Sequence, residues 1–292
     1  MRIHPECIPC IIKVRFREIS QHISDRGEML KAFSEILRIV AEYVEKDVPN
    51  PVIAMHAFRY VKEITGLDDP YSDYRRKANK YALKFLPYAR EFIEKADDSY
   101  GRFRRACIVS CLGNLVDPGV AGYKFNPKQW SEMLEGSNFR LDDTKRAFEL
   151  MHGKHILLLC DNSGEIVFDR LLVEILKENE CSVTVAVRSG AFQNDALMAD
   201  AIEAGLRKVA DKIVETGSDA PGFIPWEVSR TFLKEIEDAD FVLSKGMANY
   251  ETIPEYFNYI RKPVLFVLVA KCRPIAYSLG VREGDLVAWL LE

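Results

Sequence analysis

Downstream of Gly153 the chain alternates short apolar runs with amphipathic segments, and no other feature restricts its fold as much. The runs are Ile156–Cys160, Ser182–Val187, Lys212–Thr216, Phe241–Ser244 and Val264–Val269, each rich in Val, Ile, Leu or Phe. An almost unbroken apolar run of that length reads as a strand buried on both faces. Between the runs, Ile166–Glu178, Ala196–Ala204, Glu227–Ile236 and Glu251–Tyr259 carry helical spacing. Strands that alternate with helices need crossover connections, which predicts a parallel sheet with helices on both faces.

Upstream the pattern is helical. Over residues 11–47 apolar side chains recur at three and four residues, through Ile11, Ile12, Val14, Phe16 and Ile19 and then from Leu30 to Val44. The same spacing predicts a helix over 51–65 closed by Gly66, a long one from Tyr74 to Ala96 and another over 101–116. The chain therefore reads as α/β, with a helical amino-terminal domain at 1–150 and an α/β domain at 151–292 that carries the chemistry. The second part is expected to be a Rossmann-like α/β/α three-layer core with a mostly parallel sheet.

Charge excludes some function classes. The 292 residues hold 40 Lys plus Arg against 44 Asp plus Glu, and the two halves carry +3 and −7. A dedicated nucleic-acid binder would show a strongly basic domain. The clusters Arg75, Arg76, Lys77 and Arg102, Arg104, Arg105 lack an interleaved aromatic platform, so no nucleic-acid partner is expected. The longest apolar run, around Pro263 to Ala270, is far short of the ~20 residues that span a bilayer. The segment Met1–Glu6 has no secretory apolar stretch, which places the expected location in the cytoplasm. Seven scattered cysteines do not form the even framework of a secreted disulfide protein.

Four strand ends carry residues able to hold a ligand. Cys160-Asp161-Asn162-Ser163-Gly164-Glu165 follows the first run and opens a helix. In an open α/β sheet, ligands bind outside the carboxyl ends of strands, where helix N-termini also offer N–H groups to anions. Asp161 and Asn162 are hard oxygen donors suited to Mg²⁺ or Mn²⁺, although such residues also serve as helix caps. Gln193-Asn194-Asp195-Ala196 ends the second run, Lys245-Gly246-Met247-Ala248-Asn249-Tyr250-Glu251 the fourth, and Lys271-Cys272-Arg273-Pro274 the fifth. Together they suit phosphoryl transfer or phosphate-ester hydrolysis: an ion held by Asp161, Asn162 and Asp195, with Lys271 and backbone N–H groups on the phosphate. Water or a carboxylate can be the nucleophile in such a site.

The helical half contributes Cys7-x-x-Cys10, a spacing open to three readings: buried thiols, a second metal site, or redox chemistry. Gly113-Asn114-Leu115-Val116-Asp117-Pro118-Gly119 closes a helix with turn formers, and Asn114 and Asp117 can lean towards a site between the halves. The five histidines form no metal-binding group, and no P-loop, dinucleotide fingerprint or Gly-x-Ser-x-Gly elbow occurs.

The order Pro5-Glu6-Cys7-Ile8-Pro9-Cys10, Gly113-Asn114-x-x-Asp117, Asp161-Asn162-Ser163-Gly164-Glu165, Asn194-Asp195-Ala196 and Lys245-Gly246-x-x-Asn249-Tyr250-Glu251 resembles the damage-control phosphatases. The amino-terminal Cys-x-x-Cys resembles their prokaryotic, largely archaeal branch. The resemblance implies a metal-dependent phosphatase for small phosphorylated metabolites such as sugar phosphates, nucleotides or cofactor precursors. It also implies Mn²⁺, Co²⁺, Ni²⁺ or Mg²⁺ as the ion and a helical region packed on an α/β/α core. Asp161, Asn162 and Asp195 match the metal-binding trio, with Asp161 also matching the nucleophile or base. Glu165, Asn194, Lys245, Gly246, Asn249, Glu251 and Lys271 fall in phosphate- or substrate-side segments. Where the eukaryotic branch has Arg-Thr-x-Lys this chain has Ala270-Lys271-Cys272-Arg273, so Lys271 and Arg273 both stand as phosphate partners. The alternatives from other classes are a carboxyl methyltransferase, whose glycine-rich loop would need more than the one glycine in Asp161-Asn162-Ser163-Gly164, and a non-catalytic metal-binding module.

Overall fold

A computed structural model describes residues 1–113 and 126–292; Asn114 and Asp117 lie outside the described residues. The seven strands are β1 Phe139–Asp142, β2 His155–Leu159, β3 Ser182–Val187, β4 Lys212–Glu215, β5 Phe241–Lys245, β6 Val264–Val269 and β7 Leu286–Leu291. They form one sheet in the order β1-β7-β6-β5-β2-β3-β4. All pairings are parallel except β6 with β7. The five runs read as strands are the contiguous parallel set β6-β5-β2-β3-β4, with β4 at one edge of the sheet. The two additions are the edge pair: β7 is apolar but lies beyond the alternating pattern, and β1, Phe-Arg-Leu-Asp, is too short and polar to read as a strand.

Side chains leave each strand on alternate faces, and the core follows that alternation. Ile156, Leu158, Val183, Val185, Leu243 and Val267 point into one apolar cluster, while Leu157, Leu159, Val242, Phe266 and Leu268 point into the other. The first face is covered by α6 Ser99–Leu112 and α9 Glu165–Glu178, backed by α4 Ser72–Leu83, α5 Leu86–Glu94, α7 Pro127–Gly136, α8 Thr144–Met151 and α10 Met198–Glu203. The second is covered by α11 Arg230–Asp238, α12 Met247–Thr252 and α13 Arg273–Leu279. This is the three-layer arrangement expected for the carboxyl part.

Two long helical readings are each two helices. Residues 11–47 divide into α1 Cys7–Ser20 and α2 Arg26–Glu45, because Asp25 caps α2 by accepting the Glu28 backbone N–H at 2.8 Å. Residues 74–96 divide at Lys84 and Phe85, where Pro87 in the first turn of α5 cannot donate to a continuing helix. Helix α3, Asn50–Thr65, ends as expected at Gly66, whose φ of +67° suits a residue without Cβ.

The core does not divide at residue 150. Phe103, Cys107, Trp130 and Met151 pack in the same cluster as Ile156 and Leu158, and β1 belongs to the sheet. What stands apart is α1–α3, which gather Ile19, Ile36, Phe58 and Val61 into a cluster of their own, joined by Phe192 from the loop after β3. Among the described residues, α1–α3 bury their apolar faces on one another, while the later helices join the sheet or the helices that cover it.

Candidate functional site

The chain runs from β2 outward to β3 and β4, then returns to β5 on the other side of β2. At such a reversal the crossovers diverge and leave a crevice outside the strand ends. Asp161 follows β2 and Gly246 follows β5, strands paired through Leu159 and Ser244. A cavity of about 320 Å³ opens there. Its floor includes Asp161, Asn162, Glu165, Asn194, Asp195, Gly246 and Lys271, and its roof is α1 and α3, through Cys10, Arg15, Asn50 and Ala54.

Backbone pairing brings the proposed trio together. Asn162 and Asp195 form an isolated antiparallel bridge, Ala196 N–H donates to the Asp161 carbonyl at 2.8 Å, and Ser163 N–H donates to the Asn194 carbonyl at 2.8 Å. The Asn162 side-chain amide donates to Asp161 Oδ2 at 2.6 Å. Arg188 Nε donates to Asp195 Oδ2 at 3.0 Å. Burial raises the pKa of Asp161, against the opposing pull of Lys271, Lys245 and Arg188. Burial likewise raises Asp195 to about 7, with the Asp161 charge adding to the shift and Arg188 resisting it. Two desolvated carboxyls and an amide carbonyl thus face one cavity, a donor set whose charge a divalent cation would relieve. Among the described residues no three His, Cys, Asp or Glu side chains converge as a metal site, so the amide is needed to make a third donor.

Behind this floor lies a second layer of charge. Lys245 is fully buried and donates to Glu165, to Asp169 at 3.1 Å and to the Ser110 carbonyl at 3.3 Å. Burial opposes its charge, but the carboxylates of Asp169 and Glu165 hold its pKa above the ordinary value. Among the described residues, Lys245 does not line the cavity itself and meets its lining by contact with Glu165. Burial pushes Glu165 up to about 8 in spite of Lys245, and its Oε2 has no hydrogen-bond partner among the described residues. Asn249 is buried with its amide on the Lys245 carbonyl at 2.8 Å. Glu251 lines the cavity, and burial raises it to about 7 against a hydrogen bond from Asn50.

The structure places two other residue sets away from the floor. Arg273 is exposed, pairs with Glu6 at 2.8 Å and does not line the cavity, whereas Lys271 does. Of the amino-terminal pair, Cys10 is exposed at the cavity and Cys7 is buried, its thiol pushed up to about 11 by that burial. All seven thiols are free.

Several site residues escaped the sequence reading. Asn79 of α4 is buried and accepts the Gly164 N–H at 2.7 Å, capping α9 from a distance while donating to Asp200 at 2.7 Å. Asp169 lies one helical turn after Glu165, a repeat of carboxylates inside an apolar helix face that could have flagged it. Arg15 sits between Ile11 and Ile19 on the buried stripe of α1, a misplaced charge of the same kind.

A switch-point crevice floored by carboxylates and roofed by a helical layer is a ligand site of an open α/β sheet, without a nucleotide loop or dinucleotide fingerprint. The chain belongs to the family of the damage-control phosphatase ARMT1-like domain, whose family model matches residues 3–287. It is 36% identical over 295 residues to a damage-control phosphatase of Archaeoglobus fulgidus, covering 100% of both chains. It is 30% identical over 293 residues to the damage-control phosphatase PH1575 of Pyrococcus horikoshii, covering 98% of this chain and 97% of the other. The crystal structure of PH1575, described as a DUF89 family protein, superposes with a TM-score of 0.85 at 28% identity, covering 99% of this chain and 98% of that one.

Proposed function

We propose that the chain is a metal-dependent phosphomonoester hydrolase acting on small phosphorylated metabolites. The observation that carries this reading is the convergence of Asp161, Asn162 and Asp195 on a switch-point cavity that Lys271 also lines. Those three side chains would hold a divalent ion such as Mn²⁺, Co²⁺, Ni²⁺ or Mg²⁺, which supplies Lewis acidity towards a phosphate oxygen and lowers the pKa of water. Asp195 is fixed by Arg188, and the Asn162 amide commits its N–H to Asp161, leaving its carbonyl oxygen to ligate. Lys271 brings positive charge to the equatorial phosphate oxygens. Asp161, confined by the Gly246 backbone, serves as base or nucleophile. A cavity of about 320 Å³ lies at the small end of ligand pockets, which suits a sugar phosphate or a mononucleotide.

The test is hydrolysis of p-nitrophenyl phosphate by chelator-treated protein before and after addition of each ion. Turnover should return with metal in the native chain and not in Asp161→Asn or Asp195→Asn. Full metal-stimulated turnover in either variant would overturn the assignment. Trapping with hydroxylamine during turnover separates the two nucleophiles, because only an aspartyl-phosphate route presents an acyl phosphate that converts to a hydroxamate at Asp161.

A further inference from the structure

The roof of the cavity holds a cation that the hydrolytic reading does not use. Arg15 of α1 lines the cavity with only 2% of its surface exposed. Its Cζ lies 4.9 Å from the centroid of the Phe58 ring. Its Nη1 stands 3.1 Å from Glu18 Oε2, in an orientation that makes no hydrogen bond, and its Nε also lacks an acceptor among the described residues. The other Glu18 oxygen is already taken, by the Tyr71 hydroxyl at 2.8 Å and the Gln193 amide at 3.0 Å. A guanidinium kept only to brace α1 would have its donors satisfied, since each unsatisfied buried donor costs about 1–3 kcal/mol. Among the described residues lining the cavity, the cationic side chains are Arg15 on the roof and Lys271 on the floor.

We infer that Arg15 receives a second oxyanion of the substrate, a carboxylate or a further phosphate remote from the ester being cleaved. This rests on the phosphatase reading and names the substrate class it takes. A planar guanidinium donates two parallel hydrogen bonds to a carboxylate or phosphate, and a neutral hydroxyl cannot match both. The site thus selects a doubly anionic metabolite: Lys271, with any ion bound by the floor, would hold the ester phosphate, and Arg15 the other end.

Three six-carbon probes isolate the effect. Sorbitol 6-phosphate ends in a hydroxymethyl group, 6-phosphogluconate in a carboxylate, and sorbitol 1,6-bisphosphate in a second phosphate. The native chain should prefer one or both doubly anionic probes by about tenfold or more in kcat/KM, the worth of a charged hydrogen bond. In Arg15→Met that ratio should fall towards one through KM, and Arg15→Lys should keep part of it. Glu18→Gln removes the competing carboxylate and should lower KM for the doubly anionic probes, a change a bracing role would not produce. Calorimetric binding of the same probes, with and without Mn²⁺, runs in parallel. Discrimination in binding that depends on Arg15 without turnover would sustain this inference and sink the phosphatase reading. Turnover with a native ratio near one, or with equal losses on all probes in Arg15→Met, would sink the inference alone. If Arg15→Met does not fold, Arg15→Lys and Glu18→Gln decide by the same ratio.

Discussion

A Cβ on Gly246 would lie 2.1 Å from Asp161 Cγ, so the carboxyl group of Asp161 occupies the space where any side chain at position 246 would begin. Gly246 also has φ +81° and ψ 166°, a region closed to other residues. Its absent side chain is what allows the end of β5 to press Asp161 into one position. Gly246→Ala should displace the carboxylate and lower kcat by about a hundredfold or more, since an ångström of misplacement costs that much. Metal titration should weaken in step, while circular dichroism stays native.

Asp195→Asn should separate stability from activity. The carboxyl is desolvated and held near 7, so a neutral isostere removes a charge the fold disfavours. The metal-free variant should melt above the native chain at pH 8, yet turn over on the order of a thousandfold more slowly. Differential scanning calorimetry and a steady-state assay read the two effects independently.

The same carboxyls set the pH response of the metal-free protein. Asp195 and Glu251 are raised to about 7 and Glu165 to about 8, all above their unfolded values. Between the unfolded and folded values the native state binds more protons, so stability is greatest at the acid end and declines as pH rises from about 4 to 8. Tm measured in chelator should therefore fall between about pH 5 and pH 8. Added Mn²⁺ should flatten or reverse the trend, because the ion favours the ionised donors. A metal-free Tm that climbs over this range would contradict the burial of these groups.

Lys245 should prove more important to folding than its distance from the cavity suggests. Lys245→Met leaves Glu165 and Asp169 buried without their cation, a loss of about 3–5 kcal/mol. Combining it with Glu165→Gln and Asp169→Asn should restore much of that stability in denaturant titration, without restoring turnover.

Strands β2, β3, β5 and β6 were legible because nearly every residue in them is buried, whereas β4, with exposed ends at the sheet edge, was legible from its place in the alternating pattern. The convergence of Asp161, Asn162 and Asp195 on one crevice was legible because Asp161 and Asn162 come just after β2 and Asp195 lies in the loop after β3. Arg273 was misplaced because a strand-end cation reads the same whether it turns into the crevice, as Lys271 does, or out to Glu6. The boundary at residue 150 failed for a different reason: helical periodicity reports which face is apolar and not what that face packs against, so α4–α8 looked like partners of α1–α3. Asn79 and Glu18 act across long sequence separations, and nothing in their local spacing marks them.

The roof of the cavity is made from residues 10–15 and 50–54 and its floor from residues 161–195, 246–251 and 271. Synthesis runs in the opposite order to assembly. The first helix off the ribosome has no floor to rest on until the strands that end at Asp161, Asp195, Gly246 and Lys271 have emerged and paired. Through most of its synthesis the chain carries an uncovered Arg15 and an incomplete set of floor carboxylates, and the cavity is completed late. Contacts of such long range also slow folding, so the cavity takes shape only after the carboxyl-terminal strands have paired.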